Sequence, residues 1–276
     1  ELRRAWHQRA SLSGRTGACV IPIEELLSWG TGAGSAMFWA TTLCFLRTGA
    51  FIALLPALGE QIIPLRIRLA AALCLTAIVA PALGTPAVVS LSSLLAETGN
   101  GLALGAGFRF FLIALQTAGM MAAQAGSLAQ IFTGAGSEPQ SGISNMFSYA
   151  ALALLCAMGL PEAAAALLIR SYEFLPQGTL PSSADIAAWG LAGAARSFRL
   201  AMSLAAPFLI GGLLYNVAIG AINRAMPMLM VALIGAPALT LGALILLVTA
   251  TPVILALWLT EVQIWLDNPF AARGGL

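Results

Sequence analysis

The stretch Ala225–Thr260, AMPMLMVALIGAPALTLGALILLVTATPVILALWLT, runs for 36 residues without a charge. A straight helix of that length would reach about 54 Å, against a bilayer hydrocarbon core of about 30 Å. The segment must therefore bend, break or leave the bilayer. Gly235-Ala236-Pro237 and Pro252 are the expected kink points, because proline removes a backbone donor and crowds the preceding turn. Just upstream, Asn223-Arg224-Ala225-Met226-Pro227 reads as a polar turn, and Leu200–Asn223 before it is again free of charge. Residues 196–260 thus form one expected helical hairpin, within a unit taken as 196–265 and followed by a tail, 266–276.

The rest of the chain is of the same kind. Of 276 residues, 59% are hydrophobic and 9% charged, and the mean hydropathy is +0.91. Soluble domains carry about 25% charged residues, so a soluble globular enzyme is excluded. All thirteen basic residues are arginine. Schiff-base chemistry and Walker-type phosphate loops both need a lysine amine, so both are excluded. The net charge of +2 is thinly spread and gives no basic face for nucleic acid. Cys44, Cys74 and Cys156 lie in apolar runs without metal or redox spacing, and are expected as buried small hydrophobes; Cys19 stands alone. His7, the one histidine, builds no metal site. No cofactor is expected.

Other charge-free runs are Leu26–Leu46, Leu69–Ala96 and Pro139–Pro161; Gly101–Met121 is interrupted only by Arg109, and the first run resumes after Arg47 as far as Leu58. About six long apolar helices follow, making an all-α membrane protein. Between the third and fourth, Gln124–Asn145 crowds glycine, serine and glutamine. A backbone of that kind cannot face lipid, where unsatisfied amides are costly, so it lies outside the bilayer, packs in protein or lines a wet cavity. Leu175–Asp185 reads as an exposed connection with Asp185 opening the next helix. Residues 1–19, with four arginines and no apolar core, do not resemble a signal peptide and are expected to be an extension without function. The arginines divide too evenly between the two sides to orient the spans.

An intramembrane enzyme or proton-coupled carrier needs acids or histidines at depth. The apolar runs carry no central acid, since Glu162 and Glu261 stand at helix ends, and no HExxH, GxSxG or potassium-filter motif occurs. What does lie at depth is arginine and amide. Arg47 falls within Ser35–Leu58, where insertion costs about 2.5–3.5 kcal/mol unless the side chain faces protein or water. Arg109, eight residues past Gly101, is within snorkelling reach of the interface, and Gln116, two turns on, lies on the same face. These polar groups suggest a seam between subunits, and Gly101 with Gly105 offers a small-xxx-small surface for a close helix.

Phe45-Leu46-Arg47-Thr48-Gly49-Ala50-Phe51, Leu55-Pro56-Ala57-Leu58-Gly59-Glu60 and Ile63-Pro64-Leu65-Arg66-Ile67-Arg68-Leu69-Ala70 together resemble the FliR family of flagellar export-gate proteins. Gly105–Gln116, Gln124-Ala125-Gly126, Pro139-Gln140-Ser141-Gly142, Glu173-Phe174-Leu175-Pro176-Gln177-Gly178, and Asn216 with Asn223-Arg224-Ala225-Met226-Pro227 follow in family order. The resemblance covers about residues 21–265. It implies a non-enzymatic subunit of the type III secretion export gate in the bacterial inner membrane, at the flagellar basal body. The implied partners are FliP-type and FliQ-type subunits, a nearby FlhB-type subunit, unfolded export substrates and membrane lipids. It further implies bent hairpins, with a FliP-like part over residues 20–195 and a FliQ-like hairpin over 196–265.

By the same resemblance, residues 124–144 form a plug that closes the channel. Gln124 opens it, Ile131 and Phe132 are its apolar point, and Gly126, Gly134 and Gly136 are its joints. The small polar run Thr133–Ser137 departs from the usual plug pattern and leaves open which side chain meets the closed pore. Expected subunit contacts or buried polar groups are Arg47, Glu60, Arg66, Arg68, Arg109, Gln116, Asn216, Asn223 and Arg224. The alternatives are the paralogous subunit of a virulence injectisome and, from another class, a small-molecule or ion transporter.

Overall fold

The computed structural model describes residues 33–56, 58–59, 63–83, 90–126, 142–225 and 231–269. Seven α-helices, and no strand, stand among the described residues. They are α1 (Ala33–Leu54), α2 (Leu65–Val79), α3 (Leu91–Ala125), α4 (Gly142–Ala157), α5 (Leu160–Phe174), α6 (Ser183–Ala225) and α7 (Val231–Asp267). The chain divides into two units, Glu1–Trp39 and Ala40–Leu276. Of the first only the opening of α1 is described, and the packing below belongs to the second.

Five helices are long and apolar enough to cross a membrane, and the α4–α5 pair, bent by 75°, makes six if it counts as one broken span. The all-α membrane architecture expected from the runs is therefore present, with three corrections. Leu69–Ala96 is not one element: α2 stops at Val79, a 3-10 turn carries Pro81, and α3 begins afresh at Leu91. Its start is set by a capping box in which the Ser90 hydroxyl accepts from Ser93 N–H (3.2 Å) and the Ser93 hydroxyl accepts from Ser90 N–H (2.9 Å). Pro139–Pro161 is likewise two helices. Gly159 takes φ +81°, which ends α4, and Pro161 with Glu162 in the first turn starts α5. Gln124 and Ser144, expected in the loop, are helical residues of α3 and α4.

The α6–α7 hairpin is present, but α6 begins at Ser183, where the Ser182 hydroxyl accepts the Asp185 N–H at 3.1 Å. It continues through Pro207, as α7 does through Pro237 and Pro252. Its residues 183–195 therefore belong to the same helix as the hairpin.

α3 is the axis of the second unit, packed against α4, α6 and α7. Over its whole length 56% is buried, against 17% for the spanning windows of α6 and α7. Phe108 and Phe111 of α3 meet Trp265 of α7 edge-on or tilted, with centroids 5.2 and 5.7 Å apart. Two side chains of the hairpin donate to consecutive α3 carbonyls: Ser197 Oγ to Phe110 O and Trp258 Nε1 to Phe111 O, both at 2.8 Å. Trp258 is fully buried, so without that acceptor its indole N–H would cost about 1–3 kcal/mol.

Cys44 is buried as expected, whereas Cys74 and Cys156 face outward. The turns around them, residues 69–79 and 150–157, are almost wholly apolar, and hydropathy there carries little information about which side packs inward.

Candidate functional site

The fold gathers its strongest polar cluster around Arg47 of α1, a side chain with no solvent exposure. Its Nε donates to Glu97 Oε2 at 2.7 Å and its Nη2 to Glu97 Oε1 at 3.1 Å, a two-pronged ion pair with the first turns of α3. Both terminal nitrogens make further bonds. Nη1 reaches Ser171 Oγ at 3.1 Å, Nη2 reaches the Leu175 carbonyl at 2.9 Å, and the guanidinium lies 3.7 Å from the Tyr172 ring centroid.

Glu97 in turn accepts the Gly178 N–H at 2.7 Å on Oε1, and three residues on, Asn100 Nδ2 donates to the Thr179 carbonyl at 2.9 Å. Gly178 holds φ +77°, a left-handed conformation that suits glycine, and a Cβ there would press on Ser93 Cβ at 3.2 Å. The connection from α5 to α6, read from sequence as merely exposed, is thus strapped at Leu175, Gly178 and Thr179 onto α1 and α3. Two motifs far apart in the chain, Phe45–Phe51 and Glu173–Gly178, meet here.

The close approach of α1 to α3 depends on the expected glycine pair. A Cβ on Gly101 would collide with the Arg47 carbonyl, and one on Gly105 would stand 2.8 Å from Leu54 Cβ and Phe51 O. Their partner is a helix of the same chain. Arg47 is likewise drawn inward and contributes to no surface seam.

Glu97 escaped the sequence reading, which took the third helix to start near Gly101 and so left this acid between two runs. Because α3 begins at Leu91, Glu97 lies inside it and is fully buried. The same shift moves Arg109 from near a helix end to the middle of the 35 residues of α3, where it is exposed. Gln116 is half-buried; Arg66, Asn216, Arg224 and Gln124 are exposed, Arg68 is half-buried, and Gly126 is buried. Asn223 lies in the last turn of α6. Glu60, Ile131, Phe132, Gly134 and Gly136 lie outside the described residues, as do residues 1–32.

Among the described residues no cluster of histidine, cysteine or acidic side chains is arranged to hold a metal. The buried pair has the chemistry of a clasp: its charges are matched, each of its side-chain nitrogen and carboxylate oxygen atoms has a hydrogen-bond partner, and water is excluded.

Comparison with known proteins places this architecture. Residues 38–264 match the family model described as bacterial export proteins, family 1. The chain is 30% identical over 239 residues to the flagellar biosynthetic protein FliR of Caulobacter vibrioides, covering 83% of this chain and 95% of that protein. The matched region takes in the Arg47–Glu97 clasp, all seven helices save a few terminal residues, and the hairpin, and on that basis the chain belongs to family 1 of the bacterial export proteins.

Proposed function

We propose that this chain, a membrane subunit of the flagellar export apparatus, assembles with FliP-type and FliQ-type subunits into the inner-membrane channel for unfolded export substrates, beside an FlhB-type subunit at the basal body. The observation that carries this reading is Arg109, exposed at the centre of the most buried span. Among the described residues it forms no ion pair. A central arginine facing lipid costs about 2.5–3.5 kcal/mol on insertion scales, so its stable surroundings are another subunit or a water-filled passage. Arg199 and Asn216, exposed on the lightly buried α6, make the same demand.

The chain's role in export is structural, and the energy for transport comes from other components. The flagellar relative favours this system over an injectisome. Affinity capture of the tagged chain from mildly solubilised membranes tests the reading: FliP-type and FliQ-type subunits co-purify. Recovery of the chain alone, under conditions that preserve other membrane complexes, contradicts it.

A further inference from the structure

Of the spanning helices α3 is the most buried, yet it keeps one stripe uncovered. Between Leu95 and Ile113 its exposed residues are Leu95, Leu102, Arg109 and Ile113, and at about 3.6 residues per turn they fall within an arc of about 40°. Half-buried Ala106, Gln116 and Met120 complete the line. Leu95, Leu102, Arg109 and Gln116 stand seven residues apart, and so do Ala106, Ile113 and Met120, each four residues after a member of the first set. Alternating steps of four and three make the seam by which one helix receives another at a left-handed crossing of about 20°. Beside Ile113, α3 and α6 leave a socket of about 230 Å³ lined by Phe110, Ile113, Thr117, Ala194, Ser197 and Phe198. The Thr117 and Ser197 hydroxyls donate to the Ile113 and Phe110 carbonyls, both at 2.8 Å, so the socket presents apolar surface.

We propose, on the reading of the chain as a subunit of a larger complex, that this stripe seats one helix of another subunit. That helix carries a matching apolar seam, a large apolar side chain for the socket and a carboxylate opposite Arg109. Charge selects the occupant. Arg109 forms no ion pair among the described residues, and a polar residue at a seam position sets the register of the pair when the facing helix supplies the complementary group. A second copy of this chain does not supply it, because its exposed acids among the described residues, Glu162, Glu173, Asp185 and Asp267, all stand at helix ends.

The test places photoreactive benzoylphenylalanine at Leu102, Ile113 or Met120 of the full chain in its native membrane complex, and maps each adduct by peptide mass spectrometry. The expected adducts fall on one helix of one other subunit, those from Ile113 and Met120 about seven residues apart, with an aspartate or glutamate between the points reached from Leu102 and Ile113. Arg109→Glu should then lower recovery of that subunit with the tagged chain roughly tenfold or more, and changing that acid to arginine should restore it. Adducts on lipid alone, in a particle that holds the other subunits, overturn the seam and leave the proposed function standing. Adducts on a second copy of this chain, on residues without the seven-residue spacing, or on a helix with no acid opposite Arg109 overturn the seam as well. A particle without other subunits overturns both.

Discussion

Arg47 and Glu97, fifty residues apart in the chain, hold each other by two hydrogen bonds of 2.7 and 3.1 Å at zero exposure, and the same two side chains hold the Leu175–Thr179 strap through its backbone. One ion pair therefore fixes α1 to α3 and fixes both to the point where the chain turns into the long hairpin. Breaking it by removing one partner leaves a buried unpaired charge.

Arg47→Met should destabilise the protein by about 3–5 kcal/mol, whereas Arg47→Met with Glu97→Leu should recover most of the loss, because two apolar side chains leave no charge behind. Thermal unfolding in detergent checks this. A double variant no more stable than Arg47→Met would show that the backbone bonds of the strap, rather than the charge pair, carry the stability.

Gly101→Val should separate α1 from α3, because its Cβ has nowhere to go but the Arg47 carbonyl. Gly49→Ala, on the same α1 motif but with nothing within 4 Å, should be neutral or gain up to about 1 kcal/mol of helix propensity. Membrane accumulation and protease resistance report the contrast; equal behaviour of the two variants would deny the close approach.

Much of this was legible in the sequence. The uncharged runs reveal the spans, and the polar break at Asn223–Pro227 reveals the hairpin. Arg47 marks itself, since an arginine at depth demands a partner. The identity of that partner was hidden, because Glu97 is followed by Thr98-Gly99-Asn100-Gly101 and so reads as the edge of a run. Ser90 and Ser93 carry the missing signal: a capping box there starts α3 ten residues earlier and brings Glu97 inside. The direction in which Cys74 and Cys156 face was not legible, because apolar helices in lipid lack the polar face that orients a helix in water.

Arg109→Glu reverses a charge at the proposed subunit contact, where like-charge placement costs several kcal/mol. Co-purification of FliP-type and FliQ-type subunits should fall sharply while the chain still inserts, since Arg109 is exposed and forms no ion pair among the described residues. Unchanged co-purification would place Arg109 against lipid or water instead.

The plug proposal concerns Ile131 and Phe132. Ile131→Gly with Phe132→Gly should raise permeability to small ions or dyes in membranes holding the assembled gate, because these two side chains are the bulky apolar pair of the loop. Normal impermeability in a fully assembled gate would remove the plug role from the residues between α3 and α4.

The most direct test of the central claim is the mass of the particle extracted from membranes in mild detergent. A channel subunit predicts a hetero-oligomer several times heavier than this 28.4 kDa chain, containing two further small hydrophobic proteins in fixed proportion. A lone monomer or a homodimer that retains its native fold would contradict the account and favour a self-sufficient transporter.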